Sequence, residues 1–170
     1  MTATDQRRHR ASELRWFLVL AGVAALTFAA IASGDHGHGK GGKLFRSSLA
    51  PSQLTDPAFH AVTPGGAPWS LDRGSVKIGR NGHFDLRLKG LVITTTGTAR
   101  PVLTISASLF CGGDANVTPA ATTGQVPISA DGDARIHQQV TLPATCLAPI
   151  VLVHPNGGLT RYISVTGWRP

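Results

Sequence analysis

The sequence predicts an all-β fold: an antiparallel, immunoglobulin-like sandwich of about seven strands, stapled by one disulfide and preceded by an N-terminal apolar helix. Three observations carry this expectation. Beyond residue 43, Val, Ile, Thr and Ser dominate, and they favour pleated chain over helix. Apolar and polar residues alternate with period two in several short runs, among them Phe84, Leu86 and Leu88 against Asp85, Arg87 and Lys89. Turn residues punctuate those runs, consistent with 20 glycines and 11 prolines in 170 residues.

Taken in order, the chain divides into four parts. Residues 1–33 read as a signal peptide or membrane anchor. Arg7, Arg8, Arg10 and Arg15 precede an uncharged run from Trp16 to Gly34, which is a positive region followed by an apolar one. In Ala30-Ile31-Ala32 the two alanines supply the small residues for cleavage between Ala32 and Ser33. Retention as an anchor is the competing reading, since nearly twenty apolar residues span a bilayer. Both readings put the domain outside the plasma membrane, secreted or anchored. Residues 34–43, rich in Gly, His and Lys, read as a flexible tether. Asp35, His36 and His38 there are a weak chelating set, and a spacer explains them better.

Residues 44–74 contain Pro51, Pro57, Pro64 and Pro68 and show no sustained period. They are expected to form an irregular arm packed on the domain, with Trp69 reaching the core and turns at Thr55-Asp56-Pro57 and Pro64-Gly65-Gly66. The sandwich itself is expected over residues 75–170. Its first hairpin has a register that the pattern selects. A three-residue loop of Arg80, Asn81 and Gly82 places Ile78 opposite Phe84 and Val76 opposite Leu86; a two-residue loop would set Ile78 against Asp85. Apolar parity changes at Gly90, which suggests a β-bulge. From Val102 to Cys111, Leu103, Ile105, Ala107, Leu109 and Cys111 share the inward face, with Thr104, Ser106 and Ser108 on the other. A polar loop (Gly112 to Thr123) follows, then Val126 and Ile128, a turn at Asp131-Gly132, and Ile136, Val140 and Leu142. Pro149 to His154 reads as a fully buried strand, and Arg161 to Trp168 closes the domain with Ile163 and Val165 inward.

Cys111 and Cys146 are the only cysteines. In an exported domain, two inward cysteines predict a structural disulfide; a redox pair would want the two much closer in sequence. Closing a loop of about 36 residues stabilises by about 3.8 kcal/mol on the chain-entropy model. The pairing resembles the inter-sheet bridge of immunoglobulin domains, although no Trp lies between the cysteines.

The domain has no Glu, and most of its Asp residues fall in turns (Asp56, Asp131, Asp133) or on an outward face (Asp85), which does not suit a glycosidase. No Gly-x-Ser-x-Gly elbow and no paired histidines around a Glu occur. Asp131-Gly132-Asp133 lacks the rest of a calcium loop and reads as a hairpin turn. His60, His83, His137 and His154 are scattered, and only their convergence in space would make a metal site. No cofactor is expected. From residue 44 onward six Asp face ten Lys plus Arg, and this excess looks spread over all strands. Such a surface suits an anionic cell-wall polymer, a lipid surface or an envelope protein; nucleic acid is disfavoured by the lack of exposed stacking aromatics.

The stretches Pro64-Gly65-Gly66-Ala67-Pro68-Trp69, Lys89-Gly90-Leu91-Val92-Ile93, Ala107-Ser108-Leu109-Phe110-Cys111-Gly112-Gly113 and Thr145-Cys146-Leu147-Ala148-Pro149-Ile150-Val151-Leu152-Val153 resemble those of uncharacterised exported immunoglobulin-like β-sandwich proteins of high-GC Gram-positive bacteria. That resemblance implies an envelope domain and brings no functional residues. Two functions are therefore expected to compete. One is a non-enzymatic envelope domain using edge strands and the Gly112–Thr123 loop. The other is a hydrolase or metal-dependent enzyme in which at least two of Asp114, His60, His137 and His154 meet in a cleft.

Overall fold

The structure is a computed structural model, and it describes residues 42–169. The expected apolar helix, the cleavage site at Ala32 and Ser33, and the chelating set Asp35, His36 and His38 lie outside those residues. Among the described residues no helix is long and apolar enough to cross a membrane.

The described chain is all-β. Six strands have six or more residues: β1 (Lys43–Pro51), β4 (Arg73–Gly79), β5 (His83–Lys89), β7 (Thr104–Phe110), β10 (Ala134–Gln139) and β11 (Ile150–Pro155). Shorter ones are β2 (Thr63–Pro64), β3 (Trp69–Ser70), β6 (Val92–Ile93), β8 (Ala121–Thr122), β9 (Val126–Pro127), β12 (Arg161–Tyr162) and β13 (Ser164–Thr166). One antiparallel sheet runs β10-β5-β4-β1-β13-β11-β7-β8, with β9 also on β7. It curls so that both halves, joined through β1, bury their inner faces in one core. Val76, Ile78, Phe84, Leu86 and Ile136 come from one half, and Ile105, Ala107, Leu109, Val151 and Val153 from the other. The far ends of the path approach each other, because Gly124 N–H donates to the Gln138 side chain at 2.8 Å.

The β4–β5 hairpin has the expected register, with Ile78 opposite Phe84 and Val76 opposite Leu86. Gly82 closes its loop at φ +81°, and a Cβ there would lie 2.0 Å from the Val140 carbonyl oxygen. Trp69 reaches the core and Val151 to His154 are fully buried, both as expected.

Several expectations are corrected. Lys43–Pro51 is no irregular arm but a nine-residue strand at the centre of the sheet, paired with β4 and β13. Its inward positions are Phe45, Ser47 and Leu49, and the serine in the middle, with a register shift near Lys43, hides the alternation. Leu103 is 58% exposed: it lies before the start of β7, and Val102 and Ile105, on either side of it and Thr104, are the buried residues. Ser106 and Ser108 are buried rather than solvent-facing. The outer face of β7, β11 and β13 carries a second small core of Phe110, Leu152 and Val165, covered by Val62 and Tyr162. Gly90 (φ +68°) does not bulge a continuing strand; it ends β5 and turns the chain into β6, which pairs with β3. Leu91 is buried, but Ile93 is only half-buried.

Cys111 and Cys146 form the disulfide. It is not an inter-sheet bridge. Cys111 follows β7, Cys146 precedes β11, and these strands are neighbours, Phe110 lying opposite Ile150. The bond pins the segment before β11 over the end of the core, where Cys146 lines a small cavity with Phe45, Ile78 and Leu109.

Candidate functional site

The histidines predicted to matter go to three separate places. His154 is fully buried on β11, and its Nδ1 hydrogen donates to the Arg161 carbonyl at 2.8 Å. A carbonyl only accepts, so the neutral ring carries its proton on Nδ1. Burial pulls the imidazole below its usual range, against the opposing pull of that hydrogen bond. Ser106 lies directly opposite, but both side chains are sealed from solvent, so no substrate reaches this serine and histidine.

His60 and Asp114 do come together. His60 and Ala61, at φ +52° and +63°, are the central residues of a tight turn closed by reciprocal bonds between Phe59 and Val62. Left-handed conformations at two non-glycine residues cost energy and persist only where surroundings enforce them. Here the buried ring stacks on Phe110 (centroids 4.6 Å apart), and its Nδ1 meets the Asn116 carbonyl at 2.8 Å. Asn116 in turn donates to the Cys111 carbonyl. Asp114 accepts the His60 backbone N–H at 3.4 Å, while its carboxylate stands 4.0 Å from Nε2 and is 72% exposed. The turn thus anchors the Gly112–Thr123 loop.

His137 meets His83 edge-on, ring centroids 4.3 Å apart, on the outer face of β5 and β10. Among the described residues no group of three His, Cys, Asp or Glu is placed to hold a metal. Asp131 and Asp133 sit at the β9–β10 connection. The Asp133 carboxylate accepts the Gly90 N–H at 3.0 Å and pairs with Lys89 at 3.4 Å. The Gly90 hydrogen bond, followed by Lys89, holds that carboxyl below its ordinary range.

The charge is clustered, not spread. Pleating turns Val76, Ile78, Phe84, Leu86 and Ile136 inward and sends their neighbours out. Across β1, β4, β5 and β10 the outward register aligns Arg46, Lys77, Asp85 and His137 in one row, and Ser48, Ser75, Arg87 and Arg135 in the next. Arg73 and Lys89 face each other beyond them. Six of the eleven Lys and Arg among the described residues are on this one face, all exposed, with Asp85 and Asp133 the facing carboxylates. The face therefore holds +4 of the +5 that the described residues carry.

Three cation pairs stand directly opposite across the strands: Arg46 with Lys77, Arg73 with Lys89, and Arg87 with Arg135. Like charges about 5 Å apart between Cβ atoms destabilise a sheet. Asp85 relieves one pair, lying 3.4 Å from Arg87 and 3.6 Å from Arg135. Its partial burial raises its pKa, but Arg87, Arg135 and His137 outweigh that and hold the carboxyl below the ordinary range. Among the described residues no carboxylate lies within 4.0 Å of Arg46, Arg73 or Lys77. Between the strands runs an open groove of about 630 Å³, lined by Arg73, Arg87, Lys89 and Arg135.

This cluster was within reach of the sequence. The correct β4–β5 register already sets Arg73 against Lys89 and Ser75 against Arg87; the pairings of β1 and β10, which complete the face, were missing. Compared with protein-family models, curated proteins and solved structures, the chain matches none of them.

Proposed function

We propose that this chain is a non-enzymatic domain of the cell envelope that binds an anionic polymer through the basic face of β1, β4, β5 and β10. The observation carrying this reading is the set of three directly opposed cation pairs, one of which, Arg46 with Lys77, has no carboxylate near either member. A surface kept only for solubility intersperses its signs; stacking like charges opposite one another costs stability and concentrates positive potential. Export through residues 16–33, cleaved after Ala32 or retained as an anchor, is part of the same proposal. So is the finer architecture, in which the two halves of the curled sheet act as layers of an immunoglobulin-like sandwich joined at β1. The shared core of the two halves supports it.

The test is a pull-down on a cell-wall fraction at rising salt, with the wild type and with Arg46→Gln, Arg73→Gln and Lys77→Gln combined. Wild-type binding is expected to fall about tenfold or more as added salt shortens the screening length to a few ångströms. The triple variant should bind weakly at every salt concentration. Wild-type retention that ignores salt would count against the basic face.

A further inference from the structure

The basic face does not end at β4. Arg73 also lines a second open groove, of about 660 Å³, on the other side of Gly74, where Asp72, Gln53 and Trp168 surround it. Trp168 is 84% exposed, the most exposed large apolar side chain among the described residues, and it corrects the expectation that the domain lacks an exposed stacking aromatic. An isolated exposed tryptophan needs no explanation by itself. This one, however, projects from backbone that is held on both sides. Gly167 N–H donates to the Ser48 carbonyl at 3.1 Å, and the Ser48 hydroxyl donates back to the Gly167 carbonyl at 2.8 Å. On the other side Arg169 donates to the Pro51 carbonyl at 3.0 Å and pairs with Asp56. Gly167 adopts φ +146°, a conformation that glycine takes and L side chains rarely do. An indole is thus presented to water from a positioned backbone, beside a carboxylate, an amide and a guanidinium.

We infer that the polymer bound is an acidic polysaccharide, its anionic groups on the cation rows and a sugar ring on Trp168. This deepens the reading of the basic face and rests on it. A pyranose has an apolar C–H face that an indole covers, and hydroxyl rims that Asp72, Arg73 and the Gln53 side-chain carbonyl can bond, the Gln53 amide nitrogen already donating to the Trp69 carbonyl at 2.7 Å. Rigid aromatic anchors of this kind contribute affinity at low entropic cost. A carboxylate such as Asp72 accepts hydroxyl donors and repels phosphate, so the groove suits a sugar better than a second anion. A bilayer of simple anionic phospholipid takes up an indole at its interface but offers no ring hydroxyls to Asp72 and Arg73, and a bare polyphosphate offers no ring at all.

The experiment uses the full chain and three probes: polygalacturonate, linear inorganic polyphosphate, and vesicles of anionic phospholipid. Polygalacturonate should bind and shift the tryptophan fluorescence, and Trp168→Ala should weaken it about fivefold or more, as for an exposed aromatic anchor. Polyphosphate affinity should stay within about twofold of wild type, since charge alone holds it. Trp168 packs on little, so its truncation leaves the fold intact. A Trp168→Ala effect of equal size on both polymers, or on neither, overturns the saccharide inference, as does a Trp168→Ala loss larger on vesicles than on polygalacturonate. Failure of the wild type to bind any of the three would instead overturn the basic-face reading beneath it.

Discussion

His154 is buried neutral, with Nδ1–H on the Arg161 carbonyl and Nε2 without a hydrogen-bond partner among the described residues. Its pKa is lower folded than unfolded, so the unfolded chain takes up the proton first. The stability this contributes is complete above about pH 6.5 and is lost as pH falls from there toward the folded value. Thermal melts should therefore show Tm dropping as the pH falls below about 6.5, and His154→Leu should flatten that part of the profile. Ala61 makes a second residue-scale case. It is exposed at φ +63°, where a Cβ is strained and nothing requires one. Ala61→Gly is expected to stabilise by about 0.5–1 kcal/mol, read as a higher denaturation midpoint with unchanged slope.

Among the elements, the covering of the outer sheet face by residues 57–62 is the least expected feature. Its clamp is Tyr162, whose hydroxyl donates to the Pro57 carbonyl at 2.8 Å while Phe59 packs on the ring. Burial, then the nearby Asp56, push this hydroxyl up to about 12, against a small opposing effect of Arg169. Tyr162 is the only tyrosine, so tyrosinate absorbance reports it alone. The rise should come near pH 12 in the folded protein and near 10 in denaturant; a native transition near 10 would mean that the clamp is open. The disulfide acts at the same scale. Cys111→Ser with Cys146→Ser should cost about 3–4 kcal/mol in denaturant unfolding, since the segment before β11 is then free to leave the core's end.

What could be read from the sequence followed the strength of alternation. β4, β5 and β11 were legible because apolar residues recur without interruption, and the β4–β5 register followed from them. β1 was not, because Ser47 occupies an inward position and Pro51 ends the strand. β7 was half legible: Ile105, Ala107 and Leu109 alternate, but nothing in that alternation reveals that the outer face, with Ser106 and Ser108, is itself buried. The site was illegible for a related reason. Each cation looks like an ordinary outward residue of its own strand, and only four strands in register turn six of them into a surface.

At the scale of the whole molecule, one curled sheet presents two unlike surfaces. The outer face of β7, β11 and β13 is covered and apolar, whereas that of β1, β4, β5 and β10 is bare and cationic. A protein selected only to be stable would not leave Arg46 opposite Lys77 and Arg73 opposite Lys89. Neutralising Arg46, Arg73 and Lys77 together should leave Tm unchanged or raise it by about 1–2 °C, since repulsion is removed and no close carboxylate loses its partner. Differential scanning calorimetry of the triple glutamine variant checks this.

The most direct measurement compares two double variants of equal net charge on an immobilised polyanion. One carries Arg46→Gln and Lys77→Gln on the face; the other carries Arg100→Gln and Arg161→Gln elsewhere. The salt concentration that elutes the full chain should fall markedly for the first variant and little for the second. Equal shifts for both would mean that net charge alone governs retention, and that the face has no special part in it.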